Sequence, residues 1–271
     1  MLKWLGRILL IVVAAGYIAL VVLALTSDSI IFQPQPSSYT DASLGVSLAR
    51  YSPRGQLLHI KSGAQTITAF YLPNPNARYT LLFSHGNAED IGEDIFFLKT
   101  FYDAGFSVMA YDYRGYGTST GKPTETGVYD DVNAAYDYLT QQLHTPADRI
   151  ISMGRSLGCG AAVHLAARRP VAGLVIEAPF LSAFRVLTRV PLLPWDKFNN
   201  ARDIRRVNAP VLIVHGRDDR IVPFWHGEKL FAMANPPKTF LPIDGAGHND
   251  VVLIAGKKYA AALQQFAATL L

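Results

Sequence analysis

The strongest chemical signal in the sequence is a serine flanked by two glycines. Gly154-Arg155-Ser156-Leu157-Gly158 has the pattern G-x-S-x-G, in which the serine occupies a sharp turn between a strand and a helix. Glycine is needed on both sides because a Cβ atom would collide with the backbone of so tight a turn. A serine presented in this way can attack an acyl carbon once a nearby base takes its proton. Arg155 could be structural or could contact the substrate.

A second segment, residues 117–121, matches the same pattern with Ser119 at its centre. About 0.1 such matches are expected by chance in a chain of this length, so the motif alone does not identify a nucleophile. Ser156 follows an apolar, strand-like segment and precedes a helical segment rich in small residues. Ser119 is followed by Lys122 and Pro123, where no helix is expected to begin. The context therefore favours Ser156 as the nucleophile and Ser119 as a loop residue.

A serine nucleophile needs a base, and the base needs an acid that orients it. In this strand–turn–helix context the acid and then a histidine follow the serine along the chain. His248 lies in a glycine-rich loop after the last predicted strand and is the predicted base. Asp218 and Asp219 both follow the preceding strand, and either could supply the acid. The other histidines after the serine lie in predicted helices or at a strand end, where a structural role is more common: His164, His215 and His226.

Acyl transfer also requires N–H groups that stabilise the negative charge on the oxygen of the intermediate. The backbone N–H of Leu157, the residue after the nucleophile, is one predicted donor. The second is the backbone N–H of Asn87, which follows a predicted strand at 79–84. The segment around Asn87 could instead form only a turn and a helix cap before Ile91.

These residues need a scaffold, and strand and helix signals alternate along most of the chain. The alternation predicts an α/β fold with a mostly parallel central sheet and helices on both faces. Antiparallel pairing is expected only in a first hairpin, which spans 58–73 and turns at Ser62-Gly63. The other predicted strands are 79–86, 107–113, 149–154, 171–179, 209–216 and 238–244. The predicted helices are 91–105, 125–143, 158–169, 224–234 and 256–271.

The alternation is interrupted at 181–208, an apolar segment with two prolines. We interpret it as a small cap over the carboxyl edge of the sheet, where ligands of such sheets bind. The alternative is an ordinary long connection with a packed helix. Leu192, Leu193 and Trp195 are predicted to contact an apolar substrate, or else to form only the core of the cap.

The N-terminal segment is apolar, and 8–25 contain no charged residue. A helix of about 18 residues is about 27 Å long, close to the thickness of a bilayer core. We predict a membrane anchor at 1–27, a polar connector at 28–54 and a catalytic domain at 55–271. A cleaved signal peptide and a buried helix are the alternatives. Lys3 and Arg7 precede the segment, which favours a cytoplasmic N-terminus and a catalytic domain on the opposite side of the membrane.

Composition excludes several other classes of protein. Half of the residues are hydrophobic and 17% are charged, which is unlike a disordered chain. A single cysteine, Cys159, excludes a disulfide scaffold. The formal charge is +4, and no basic cluster follows the N-terminal segment, so no nucleic-acid partner is expected. No spacing typical of metal ligands and no dinucleotide fingerprint is present, so no cofactor is expected.

Taken together, the motifs give residues 55–271 a resemblance to the α/β-hydrolase superfamily. Within that superfamily, the chain resembles the membrane-anchored serine hydrolases with a short N-terminal helix. That group includes depalmitoylating thioesterases, lysophospholipid and monoacylglycerol lipases and many uncharacterised bacterial members. The resemblance implies Asp219 as the acid, because Gly216, Asp219 and Val222-Pro223 match the spacing of the family pattern. It gives Asp112 and Arg114 no catalytic role. The motifs that carry it are His85-Gly86-Asn87-Ala88, Tyr111 to Gly117, Gly154 to Gly158, His215-Gly216 with Asp219 and Val222-Pro223, and Gly247-His248.

The sequence therefore predicts a serine hydrolase that cleaves carboxylic esters or thioesters through an acyl-enzyme, without a cofactor. The anchor and the cap favour a lipid-like acyl substrate. A serine peptidase of the same fold would use the same residues and is the main alternative. A non-catalytic, membrane-tethered binding protein is less favoured, because such a protein is expected to lack part of the catalytic set.

Overall fold

The structure is a computed structural model that describes residues 2–52, 54–189 and 196–270. Its strands are β1 Gln56–Ser62, β2 Gln65–Leu72, β3 Thr80–Ser84, β4 Ser107–Tyr111, β5 Ile150–Arg155, β6 Gly173–Glu177, β7 Val211–Gly216 and β8 Lys238–Ile243. Within the described residues they form one eight-stranded sheet in the order β1-β2-β4-β3-β5-β6-β7-β8. Neighbouring strands from β4 to β8 pair in parallel, as the alternation predicts.

The central strands are buried along their whole length. Every residue of β3, β4, β5, β6 and β7 is buried, which is why their sequences are continuous apolar segments rather than alternating ones. Helices cover both faces of the sheet. The predicted α/β fold with a mostly parallel sheet is therefore confirmed.

Antiparallel pairing extends further than predicted. β1 and β2 form the expected hairpin, but β2 also pairs antiparallel with β4, for example through Phe70 and Ala110. The link at 73–79 contains no helix. This link leads from β2 to β3, and because a parallel connection needs a long crossover, so short a link makes β3 run opposite to β2. β4 is parallel to β3 and therefore pairs antiparallel with β2. The prediction that antiparallel pairing is confined to the hairpin is thus wrong.

The helices mostly match the predicted positions but are shorter. They are α1 Leu2–Leu25, α2 Asp28–Ile31, α3 Asp41–Tyr51, α4 Ile95–Asp103, α5 Glu125–Asp137, α6 Gly158–Ala166, α7 Arg185–Thr188, α8 Asn200–Asp203, α9 Trp225–Met233, α10 Val251–Ala255 and α11 Lys257–Ala268. A π-helical turn at Tyr138–Gln142 extends α5, and short 3₁₀ turns lie at Ala147–Arg149 and Ile204–Arg206.

The segment interpreted as a polar connector contains a helix that packs on the sheet. α3 begins with a capping box, in which Thr40 and Ser43 satisfy each other's backbone N–H groups. Leu44 and Leu48, one helical turn apart, are each 1% exposed and join the core that includes Phe70. Only these two apolar positions mark the buried face of α3, which is too short a pattern to predict the helix from the sequence.

α1 is long and apolar enough to cross a membrane. The candidate span, Lys3–Leu23, has 21 residues and a mean hydropathy of 2.5, and none of its most apolar stretch is buried against the protein. Its exposed side chains include Trp4, Leu9 and Ile11. The helix is therefore a candidate membrane anchor.

The predicted cap at 181–208 is described at 181–189 and 196–208. Here α7 and α8 are short, and Phe198 between them is fully buried. Phe198 packs so closely on α6 that a Cβ atom at Gly160 would lie 2.3 Å from its ring. The predicted substrate contacts Leu192, Leu193 and Trp195 lie outside the described residues.

Candidate active site

Ser156 occupies the turn between β5 and α6. Its backbone has φ +49°, a left-handed conformation that is rare for residues other than glycine. The strain is held in place because the Ser156 N–H donates to the Glu177 carbonyl oxygen at 2.9 Å. The turn matches the strand–turn–helix context that the motif requires.

The two flanking glycines are required by close backbone contacts. A Cβ atom at Gly158 would lie 2.0 Å from the carbonyl oxygen of Ser84. At Gly154 it would lie 2.3 Å from the carbonyl oxygen of Gly158. Gly158 therefore lets the turn approach the end of β3, and Gly154 lets the strand approach the start of α6.

The structure brings the predicted nucleophile, base and acid into one hydrogen-bonded chain. Ser156 Oγ lies 2.9 Å from His248 Nε2. His248 Nδ1 lies 2.7 Å from Asp219 Oδ2. These side chains follow β5, β8 and β7, so all of them lie at the carboxyl edge of the sheet, where α/β proteins bind ligands. Ser156 and His248 are partly exposed, and Asp219 is buried.

Asp219 is held in its ionised form. Burial alone would raise its pKa, but hydrogen bonds from His215, His248 and the Val222 amide outweigh it and hold the pKa well below its usual range. Its Oδ1 accepts the N–H groups of Ile221 at 2.9 Å and Val222 at 2.8 Å. A fixed carboxylate of this kind can orient the imidazole and stabilise its protonated form.

Asp218, the other candidate acid, is exposed. Its backbone N–H donates to the Ala246 carbonyl oxygen at 2.9 Å. This hydrogen bond joins the loop that carries Asp219 to the loop that carries His248. α9 has no side-chain cap, so Asp218 does not cap it. Its side chain is a solvated loop carboxylate.

His215 is a residue whose contact with the acid the sequence does not reveal. It is fully buried, and its Nε2 lies 2.9 Å from the Val222 carbonyl oxygen and 3.3 Å from Asp219 Oδ2. It therefore stabilises the turn, as predicted, and also contacts the acid. Its spacing of four residues from Asp219 across a turn is the only sequence signal for that second contact.

Among the described residues, the two predicted N–H donors have no backbone hydrogen-bond acceptor. Within the described ranges, neither Asn87 nor Leu157 donates its backbone N–H to an acceptor. The neighbouring Gly86 N–H, in contrast, donates to the Glu89 carboxylate. Asn87 does not cap α4, which begins at Ile95, so the alternative of a simple cap does not describe this loop.

Arg155 ties the serine turn to the Asn87 loop. It is buried, forms an ion pair with Glu89 and lies over the ring of Phe97 with 4.5 Å between its Cζ atom and the ring centroid. Glu89 also accepts the Gly86 N–H. Of the two roles considered for Arg155, these contacts support the structural one.

The other serine and histidines considered for catalysis make structural contacts away from Ser156. Ser119 Oγ donates to the Asp112 carbonyl oxygen at 3.0 Å and accepts the Thr68 N–H at 2.8 Å, so it is a structural loop residue. The His164 ring stacks on Tyr129 at 3.6 Å between centroids, and His226 Nδ1 accepts the N–H of Leu181. Burial lowers the pKa of His164 and His226 to about 4, so both are neutral near pH 7.

The chain resembles known proteins in sequence and in structure. Residues 75–199 match the family model described as serine aminopeptidase, S33. The chain is 41% identical over 189 residues to the α/β-hydrolase domain-containing protein aho-3 of Caenorhabditis elegans, covering 68% of this chain and 56% of that protein. It thus spans little more than half the length of this relative.

A human relative is covered more fully. The chain is 38% identical over 207 residues to α/β-hydrolase domain-containing protein 17B of Homo sapiens, covering 75% of this chain and 71% of that protein. In structure, it matches the esterase Pf2001 of Pyrococcus furiosus with a TM-score of 0.72 and 16% identity, over 88% of this chain and 98% of the esterase. A similarity at this identity shows the fold alone. The sequence relatives and the fold together show that the chain belongs to the α/β-hydrolase family.

Proposed function

We propose that the protein is a serine hydrolase that cleaves carboxylic ester or thioester bonds through an acyl-enzyme. The observation that carries the proposal is the chain of contacts from Ser156 Oγ through His248 to Asp219, together with two backbone N–H groups that have no acceptor among the described residues. A nucleophile, an oriented base and two donors for an oxyanion are the parts that acyl transfer needs.

In the first half of the reaction, Ser156 Oγ attacks the acyl carbon while His248 Nε2 takes its proton. Asp219 accepts the Nδ1–H of His248, which keeps Nε2 free to act as the base and then stabilises the imidazolium. The N–H groups of Leu157 and Asn87 bind the negatively charged oxygen of the tetrahedral intermediate. His248 then gives the proton to the leaving alcohol or thiol, and the acyl group remains on Ser156.

In the second half, water takes the place of the leaving group. His248 removes a proton from the water as it attacks the acyl carbon, and the same N–H groups bind the second oxyanion. The bond to Ser156 Oγ breaks, His248 returns the proton to the serine, and the carboxylic acid leaves. No other reactant is required.

The substrate that we propose carries a long acyl chain. The candidate span ends at Leu23, and its helix, α1, ends at Leu25. Ile31, whose carbonyl oxygen accepts a hydrogen bond from Asn87, follows six residues later. Six residues reach at most about 20 Å, so the site lies close to the membrane surface if α1 is the anchor. Lipid-like acyl groups are available there.

We expect kcat/KM to rise with chain length along a series of p-nitrophenyl esters from acetyl to palmitoyl. Each methylene that becomes buried can contribute up to about 0.8 kcal/mol, or about fourfold in kcat/KM. The assay uses the full-length chain in detergent micelles, with the Ser156→Ala variant as the background. A kcat/KM that falls steadily beyond acetyl would contradict a lipid-like substrate and indicate small soluble esters.

The peptidase alternative is favoured by the name of the matching family model. An aminopeptidase needs a carboxylate that binds the free amino group of its substrate. The acidic side chains beside Arg155 do not offer an open carboxylate: Glu89 forms an ion pair with the guanidinium, and Asp94 lies 4.0 Å from it and is 1% exposed. Aminoacyl p-nitroanilides in the same assay distinguish the two reactions, and faster cleavage of these amides than of esters would favour the peptidase.

We also propose that the N-terminus lies in the cytoplasm and the catalytic domain on the other side of the membrane. The support is Lys3 and Arg7 before the candidate span. Protease added outside sealed spheroplasts should digest the catalytic domain and leave an N-terminal tag intact. Protection of the domain until the membrane is opened would reverse the orientation.

A further inference from the structure

The segment that follows α1 packs beside the proposed oxyanion donor. We call residues 28–33 the strap. Asp28 at its start forms an ion pair with Lys197 of the cap. Phe32 is 3% exposed and places its ring edge-on to Phe198, with 5.8 Å between centroids. The strap is thus fixed to the catalytic domain although it continues directly from the candidate anchor.

The side chain of Asn87 is bonded to the strap on both of its polar atoms. Its Nδ2 donates to the Ile31 carbonyl oxygen at 2.6 Å, and its Oδ1 accepts the Gln33 N–H at 3.1 Å. Tyr116 OH donates to the same Oδ1 at 2.7 Å and accepts the Gln33 N–H at 3.1 Å. Asn87, Tyr116 and the Gln33 amide therefore form a closed triangle of hydrogen bonds.

The side chain and the backbone N–H of Asn87 differ in their contacts. Both polar atoms of the side chain are bonded to the strap or Tyr116, while the backbone N–H has no acceptor in the part of the chain that the structure describes. The next residue, Ala88, has φ +60°, so the loop adopts a conformation that its own backbone does not favour. The contacts of the Asn87 side chain therefore hold this loop, and with it the direction of the Asn87 backbone N–H.

We propose that the strap is a positioning element of the active site, which holds the Asn87 loop so that its N–H group faces the oxyanion. This inference rests on the proposed function, because it assigns the Asn87 N–H to that role. Donors for an oxyanion are effective only if they are fixed before the charge develops. Loosening the strap should therefore lower kcat more than it changes KM.

The first test compares two substitutions at one position in the full-length chain in detergent micelles. Gln33→Pro removes the N–H that donates to Asn87 and Tyr116, and Gln33→Ala keeps it. The preceding residue suits a proline, since Phe32 has φ −91° and ψ 128°, the extended conformation that a proline requires before it. We expect Gln33→Pro to lower kcat about tenfold, less than the loss of an oxyanion donor itself, with KM within about twofold. Gln33→Ala should stay within about twofold of wild type in both.

The second test does not depend on how proline is tolerated. Tyr116→Phe removes the hydroxyl that joins the Gln33 N–H to Asn87 Oδ1. Tyr136→Phe is the control and removes a hydroxyl that donates to the Pro170 carbonyl oxygen at 2.7 Å. Tyr116→Phe should lower kcat about tenfold, and Tyr136→Phe should not. Because Gln33 and Tyr116 act on the same side chain, the double variant should lose little more than either single variant. Wild-type kcat in both Gln33→Pro and Tyr116→Phe would overturn the proposal.

Hydrogen–deuterium exchange measures the same effect without reference to catalysis. Amides in the peptide that covers residues 84–92 should exchange faster in Gln33→Pro than in Gln33→Ala. If wild-type protein hydrolyses no ester, the proposed function fails, and this exchange still decides whether the strap holds the loop. Equal exchange in the two variants contradicts the positioning role whatever the kinetics are.

Discussion

Replacement of Ser156 by alanine is expected to lower kcat for ester hydrolysis by about 10⁶-fold, as loss of the nucleophile does in a serine protease. The substitution removes only Oγ, so the turn at φ +49° and the bond from its N–H to Glu177 are kept. His248 then has no hydroxyl to activate. The measurement is turnover of a p-nitrophenyl ester, with melting temperature as the control for folding.

Ser119→Ala is the matched control for that substitution. Ser119 is the centre of the other G-x-S-x-G match, but its hydroxyl bonds to the backbone of Thr68 and Asp112. The variant should keep kcat within about tenfold, although the lost hydrogen bonds can lower stability by about 1–3 kcal/mol. A Ser156→Ala enzyme that retained a tenth of the wild-type kcat would show that another residue is the nucleophile.

Asp219→Asn should lower kcat by at least about 10²-fold, and loss of the orienting acid lowered kcat about 10⁴-fold in a serine protease. The asparagine oxygen can still accept the N–H groups of Ile221 and Val222, which places the amide NH₂ against His248 Nδ1. That amide donates a hydrogen bond and so favours the tautomer with the proton on Nε2. Such a histidine cannot take the proton of Ser156.

Asp218→Asn removes the neighbouring carboxylate and tests whether the effect is specific. Asp218 is exposed, and among the described residues its hydrogen bond to the loop of His248 comes from its backbone, so kcat should stay within about tenfold of wild type. Circular dichroism should show both variants folded. The opposite ranking of the two variants would transfer the role of the acid to Asp218.

The parts of the fold that could be predicted are those whose sequence is dictated by local packing. The buried parallel strands have to be short apolar segments, and the serine turn has to have glycine at 154 and 158, since a Cβ atom would lie within 2.3 Å of backbone atoms at either position. These constraints leave a pattern in adjacent residues. The sequence alone therefore predicts the serine turn.

The parts that could not be predicted depend on pairs of residues far apart in the chain. The strap contacts Asn87 across 54 and 56 residues, and nothing near Gln33 or Ile31 indicates that partner. α3 has only Leu44 and Leu48 on its buried face. Its capping box begins at Thr40, four residues after Pro36, in a segment whose composition is otherwise that of a loop.

The identity of the acid could be predicted only in part. Neither spacing nor residue type separates Asp218 from Asp219, and only the resemblance to a family pattern favours the second. In the structure the two differ sharply, since Asp219 is 6% exposed and Asp218 is exposed. Asp218 lies in the turn after β7 and leaves its carboxylate in solvent, whereas the carboxylate of Asp219 is buried against His215 and His248.

The central claim is that Ser156 is the nucleophile, and labelling with a fluorophosphonate tests it most directly. Such a probe reacts covalently with an activated serine and needs no knowledge of the natural substrate. We expect the wild-type protein and Ser119→Ala to be labelled, with the modified peptide containing Ser156, and Ser156→Ala to remain unlabelled. Labelling that persists in Ser156→Ala, or that maps to Ser119 in the wild type, would contradict the account.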